Sequence, residues 1–441
     1  MLLVSIGAED GNPQVYSRIS ETLRGLVRGV RGRAVSKGGR LRLGDRFRYA
    51  VFLDNRFPES IKQVASYFCS GFLPVGETIV VYKPYPGVRR RVESVCRSLG
   101  VETCTYSRLS EIPKFSSMVV FYPFNAQSNC RVVAQRDCRH VLLLHGESNK
   151  PASVKPISRI YDYVLVAGEI ACERLVEAGV FRPVDVREGR LIKMGSSVIG
   201  RLEGFRAASE AERRSGESVI LYSPTWEGGV SDENFSSIEN SFGARLLISI
   251  VERMSVRGVV IGFHPNTGQR DNRYIDWARG SLQMLADRNI RVWCDVDQGS
   301  ECWRTIVRPS IRDGVSASID SVNVPVRLGV SDISAMEAIF TASGVENLVI
   351  EKNRSRACIP STYRKLRKMA TIDFGCDRSE IPELARRVCD DLENGGTEFG
   401  RFRDACVGYS DPSLAAMNEK QRLSWLTDYL ERDMYWAKDP R

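Results

Sequence analysis

Histidine is scarce in this chain, with three among 441 residues, at positions 140, 145 and 264. The twelve cysteines form no C-x-x-C pair, and there is no repeat of solenoid length and no low-complexity tract. No apolar run approaches the roughly 20 residues that a bilayer-spanning helix needs. These absences exclude a paired-thiolate zinc site, a small disulfide scaffold, a solenoid and a membrane span. The opening stretch "MLLVSIGAEDGNP" is too short and wrongly flanked for a secretory signal, so a cytoplasmic protein is expected. The cysteines stand singly in apolar context and are expected as reduced, mostly buried thiols.

At this length the chain fits two domains of roughly 200 residues each. Its net charge of +9 is unevenly placed: Arg24 to Arg48 holds nine basic residues against Asp45 alone, interspersed with glycines. Residues 1–48 therefore read as a basic arm, either simply solvated or directed at an anionic surface such as the inner face of a membrane. No nucleic-acid recognition motif accompanies the charge, so nucleic acid is not an expected partner.

From residue 49 short apolar runs alternate with helical stretches: strands at 49–54, 78–84, 117–123, 140–146 and 161–168, helices at 58–71, 87–100 and 169–180. The polar stretch 200–218 carries no strand signal and reads as a linker. The alternation then resumes with strands at 219–224, 257–265, 290–295, 324–330 and 348–353. Fully apolar strands separated by helices indicate parallel sheets covered on both faces. The expected class is α/β, two Rossmann-like doubly wound domains (49–205 and 206–410) facing a cleft. The remaining segment, 411–441, contains "RLSWLTDYLERDMYWA", an amphipathic helix suited to crossing back onto the first domain, with a membrane-interface helix as the other reading.

Ligands of open α/β sheets bind beyond the carboxyl ends of the strands. His145 follows the run "VLLL" and His264 the run "VVIGF", one in each half, each followed by a backbone-restricting residue (Gly146, Pro265) and a polar loop. His140 opens its strand and reads as structural. In "GVSDISAMEAIFTASG" (329–344), Ser331 or Asp332 could cap a helix whose free N–H groups suit a phosphate, with Ser334 adding a donor. Glu337, one turn in, could reach a ribose diol.

These residues also resemble a known family. "HGESNK" (145–150) is similar to the H-G-T-P-x-K element of the CDP-glycerol glycerophosphotransferases, which build teichoic acids and related capsular polymers. "ILYSPTWE" (220–227) resembles that family's I-L-Y-A-P-T-W-R, "FHP" its histidine–proline element, and "SDISAMEA" its T-D-Y-S-S segment. The resemblance spans about residues 140–350. It implies a GT-B fold and metal-independent transfer from a nucleotide-activated, CDP-linked donor to a polymer or lipid-linked acceptor, with no cofactor. It further implies His145 as the base on the acceptor hydroxyl, His264 at the donor diphosphate, and Lys150, Thr225, Ser331, Asp332 and Ser334 in the donor site. Three departures stand out. Glu227 replaces arginine, Glu147–Ser148 replace T-P, and Ala335 replaces the second serine. The spacing of Ser334 and Glu337 is closer to nucleotide-sugar glycosyltransferases. The readings therefore include a CDP-alditol donor, a nucleotide-sugar donor and a non-enzymatic anion-binding scaffold.

Overall fold

The computed structural model describes residues 4–5, 43–58, 60–144, 147–298, 300–311, 315–317, 319, 323–352, 357–367, 371–373, 378–394 and 396–432. Most of the basic arm, His145 and Gly146, and the end of the chain with Met434 and Trp436 lie outside the described residues.

Seven parallel strands form the first sheet: β1 (Tyr49–Leu53), β2 (Thr78–Tyr82), β3 (Glu102–Thr105), β4 (Val119–Tyr122), β5 (Arg139–Leu142), β6 (Tyr163–Val166) and β7 (Leu191–Lys193). Their order is 3-2-1-4-5-6-7, so the chain winds outward from β1 in both directions. Strands β1, β2, β4 and β6 are buried along their whole length. That burial is why they read as unbroken apolar runs rather than alternating ones. Helices α1 (Ser60–Cys69) and α2 (Val88–Leu99) bury Ile61, Val64, Val88 and Val92 against this sheet.

The second sheet repeats the plan with β8 (Phe205–Ala207), β9 (Val219–Ser223), β10 (Gly258–Ile261), β11 (Val292–Cys294), β12 (Val315–Ser316), β13 (Val324–Asp332), β14 (Asn347–Glu351) and β15 (Thr371–Asp373). Seven of them run in the order 12-11-10-9-13-14-15, and β8 pairs in parallel with the start of β13. The stretch read as a strandless linker thus contains a strand. Its pairing of Phe205–Ala207 with Val324–Val326 is made by backbone groups, which leave no mark in side-chain pattern.

The carboxyl ends of the two sheets lie opposite one another. Lys150, beyond β5, bonds Thr225, beyond β9 (2.8 Å). Lys62 on α1 pairs with Asp297, beyond β11 (2.9 Å). The last described helix, Glu419–Arg432, returns to the first domain, where Leu423, Leu426 and Leu430 join the core of the first sheet and Thr427 bonds Tyr49 (3.0 Å). Its apolar stripe is thereby covered by the chain's own core. Two doubly wound parallel domains with opposed strand ends and a returning C-terminal helix constitute the GT-B architecture. Among the described residues no helix is long and apolar enough to cross a membrane, and the eleven described cysteines are free thiols.

His140 is fully buried at the opening of β5. Its Nε2 lies 2.8 Å from the Gln135 carbonyl, and Tyr122 bonds its Nδ1 at 2.8 Å. Burial lowers its pKa, so the ring is a neutral structural strut.

Candidate functional site

In the second sheet the winding direction reverses between β9 and β13, the position at which open α/β sheets bind ligands. Their ends are in register, Ser223 beside Ser331. Both hydroxyls are buried without a partner, as is Oδ1 of Asp332. The other Asp332 oxygen accepts the backbone N–H of Thr225 (2.7 Å) and of Ser237 (3.1 Å), tying the segment after β9 to the end of β13. Lys150 enters from the first domain and donates to Thr225 Oγ1, with the Phe235 ring 5.8 Å from its ammonium.

Burial sets the electrostatics of this group. It pushes the Asp332 carboxyl up to about 6, against the pull of the two N–H donors and Lys150, and pushes Lys150 down to about 8. An acid raised above its unfolded value of 3.8 binds its proton more tightly when folded. Stability from this group therefore falls as pH rises from about 4 to about 6, and stays low above that. Asp332→Asn should accordingly be more stable to unfolding than the parent at pH 8, by up to about 3 kcal/mol, with the gain shrinking toward pH 4. An equal difference at both pH values would show that the carboxylate carries no ionisation penalty.

One expectation for this segment is corrected. Ser331 and Asp332 do not cap a helix, because β13 continues through Asp332, with Ser331 paired on both sides and Asp332 paired to Ile350 of β14. The cap is Ser334, whose hydroxyl accepts from Met336 N (3.3 Å) and opens the helix Ala335–Ala342. That helix lies close over the sheet because Gly329 on β13 has no side chain; a Cβ there would come within 2.7 Å of the Phe340 ring. Glu337, one turn into that helix, is engaged through one carboxylate oxygen. Its Oε1 accepts from Tyr363 (2.7 Å) and Arg367 (3.0 Å) in a buried ion pair.

His264 follows β10. The chain turns tightly there, with Thr267 N–H and Oγ1 both donating to the His264 carbonyl (2.9 and 2.8 Å) and Pro265 at the second position of the turn. Asn266 N–H donates to His264 Nδ1 (3.1 Å), so the neutral ring carries its proton on Nε2. The imidazole stacks on Trp226 at 5.8 Å and 15°. The next residue, Glu227, is fully buried and binds backbone N–H groups of the loop that follows His264.

On the first-domain side Leu144 adopts φ 46, a left-handed conformation uncommon for a branched residue, just after β5. Beyond positions 145 and 146, Glu147 is buried between Ala167 N–H (2.9 Å) and Arg174 (2.7 Å), and Arg174 also bonds Asn149 (3.0 Å). Arg174 lies on the helix Glu169–Glu177. Cys358 N–H, from the second half of the chain, donates to the Asn149 carbonyl (2.8 Å).

Lys150, Thr225, Ser331 and Asp332 thus converge, with Ser334 opening the helix two residues later. Ser223 and Ser237 belong to the same constellation, which Trp226 and Glu227 extend to His264, and none of these four was foreseen as a site residue. The signal for Trp226 and Glu227 was present, since they directly follow Thr225 in the motif. Among the described residues no three His, Cys, Asp or Glu side chains cluster as a metal-ligand set.

No protein-family model matches the chain, and no curated protein matches it in sequence. Similar solved structures include a putative UDP-N-acetylglucosamine 2-epimerase from Listeria monocytogenes, at 12% identity and TM-score 0.46, over 88% of this chain and 97% of that one. Another is Anabaena HepE in complex with UDP and glucose, at 8% identity and TM-score 0.44, over 87% and 99%. A third is UDP-GlcNAc 2-epimerase from Neisseria meningitidis bound to UDP-GlcNAc, at 10% identity and TM-score 0.45, over 87% and 99%.

Proposed function

We propose that the chain is a GT-B transferase whose donor is a nucleotide-activated substrate, bound at the ends of β9, β10 and β13 and attacked by an acceptor held on the first domain. The observation that carries this reading is the meeting of Lys150, Thr225 and Asp332 at the point where the second sheet reverses its winding. Lys150, the N–H groups at the start of the helix Ala335–Ala342 and the Nε2–H of His264 would receive the donor's diphosphate and stabilise the departing nucleotide. His145 would take the proton of the acceptor hydroxyl. No cofactor enters this scheme.

Within that class the donor we favour is a CDP-linked alditol such as CDP-glycerol or CDP-ribitol, used on an envelope or capsule polymer at the cytoplasmic face of the membrane. The four family-like segments support it. The two chemistries release different products. Attack on the phosphorus that bears the alditol releases CMP, whereas attack on a sugar carbon releases the nucleoside diphosphate.

Calorimetric titration with CDP and UDP, followed by identification of the released nucleotide, tests the proposal. CDP should bind more tightly, and His264→Ala should weaken its binding roughly 10- to 150-fold, the worth of one hydrogen bond to a charged group, 1.5–3 kcal/mol. UDP preference with release of UDP would replace the alditol donor by a nucleotide sugar. Binding of neither nucleotide would leave an anion-binding scaffold.

A further inference from the structure

We infer that Glu227 is the positioning residue for His264, an inference that rests on the donor-site reading above. The residue is fully buried, where an unpaired carboxylate would be costly. It is satisfied by backbone N–H groups: Oε2 accepts from Gly268 (3.1 Å), Oε1 from Arg270 (2.9 Å) and Asp271 (3.2 Å). Its own carbonyl accepts from the Arg270 guanidinium (2.8 Å). One glutamate thus gathers the irregular segment between β10 and the helix Arg273–Ala286, and that segment contains His264.

The geometry of the loop depends on this anchor. Gly268 has φ 82, and a Cβ there would come within 2.3 Å of Ile275, so the chain is pressed against the helix at the residue whose N–H the carboxylate holds. Upstream, the 264–267 turn and the Asn266 bond to Nδ1 fix the ring and leave the proton on Nε2. The residue preceding Glu227 supplies the other contact, Trp226 stacking on the imidazole. Glu227 and Trp226 therefore hold His264 by two routes, one through the loop backbone and one through the ring face. A glutamine at 227 replaces one carboxylate oxygen by an N–H donor, which would face a backbone N–H and could not accept from it. A negative charge beside a site for an anionic donor is tolerable here because three backbone dipoles take it up.

The test uses the full-length protein and its small number of histidines. Imidazole nitrogen NMR resolves three rings, and His264→Ala assigns the one of interest. In the parent, His264 should give the single pattern of an Nε2–H ring. In Glu227→Gln it should give a mixture of both tautomers, CDP binding should weaken about 10-fold, and the double variant with His264→Ala should bind no more weakly than His264→Ala alone. Unchanged His264 signals in a folded Glu227→Gln protein, or additive losses in the double variant, would overturn the inference. Glu227→Asp, which keeps the charge but withdraws it by one methylene, gives the same two readouts if the glutamine variant does not fold. If His264→Ala binds CDP as the parent does, the donor-site reading falls, while the imidazole signals still decide whether Glu227 positions the ring.

Discussion

His145→Ala is expected to lower turnover at least about 100-fold while leaving nucleotide affinity nearly unchanged, because a base acts on the acceptor and contributes about 10²–10⁴-fold. The surrounding backbone supports this assignment. Leu144 leaves β5 in a left-handed conformation, of the kind that persists where neighbouring structure holds it and that clusters at functional sites. Two residues past His145 the chain is pinned by the buried Glu147, and Lys150 of the same loop reaches the second domain. Steady-state turnover and calorimetry on the same preparation check the result. Near-normal turnover in a folded variant would remove His145 from the chemistry. A parallel loss of CDP affinity would place it in the donor site instead.

Arg174→Ala is expected to cost about 3–5 kcal/mol of stability, since it leaves the Glu147 carboxylate buried without its cation. Both side chains are almost wholly buried, at 6% and 4% exposure, so solvent cannot screen the loss. The Asn149 amide loses its partner at the same time. For a domain of this size the melting midpoint should fall by roughly 10 °C. The double variant Arg174→Met with Glu147→Gln should recover much of that stability, because the cost comes from the orphaned charge rather than from the missing pair. A single variant that melts like the parent would show that water reaches Glu147.

The returning helix illustrates how far sequence pattern carries. Leu423, Leu426 and Leu430 recur at helical spacing and enter the core of the first sheet. The companion membrane-interface reading of that stripe is not needed for its burial. The basic arm lies almost wholly outside the described residues, so its anionic partner stays an expectation.

Read alone, the sequence determined the alternation of strands and helices, the division into two α/β domains, and the delivery of His264 to a strand end. Those features follow from local physics: a strand buried on both faces must be continuously apolar, and a chain leaving it must turn polar. The tertiary structure decided which side chains meet. Thr225 and Asp332 bond across 107 positions and Lys150 and Thr225 across 75, separations at which no periodicity survives. Ser334 rather than Ser331 caps its helix because Ser331 is held between strand partners on both sides and β13 runs on through Asp332. Glu337 is taken by Arg367, thirty residues on. Glu147 and Glu227 stood in the sequence only as departures from the family's pattern. In the fold one is neutralised by Arg174 and a backbone N–H and the other by three backbone N–H groups, because a buried carboxylate takes its partners from whatever donors the packed chain brings within reach.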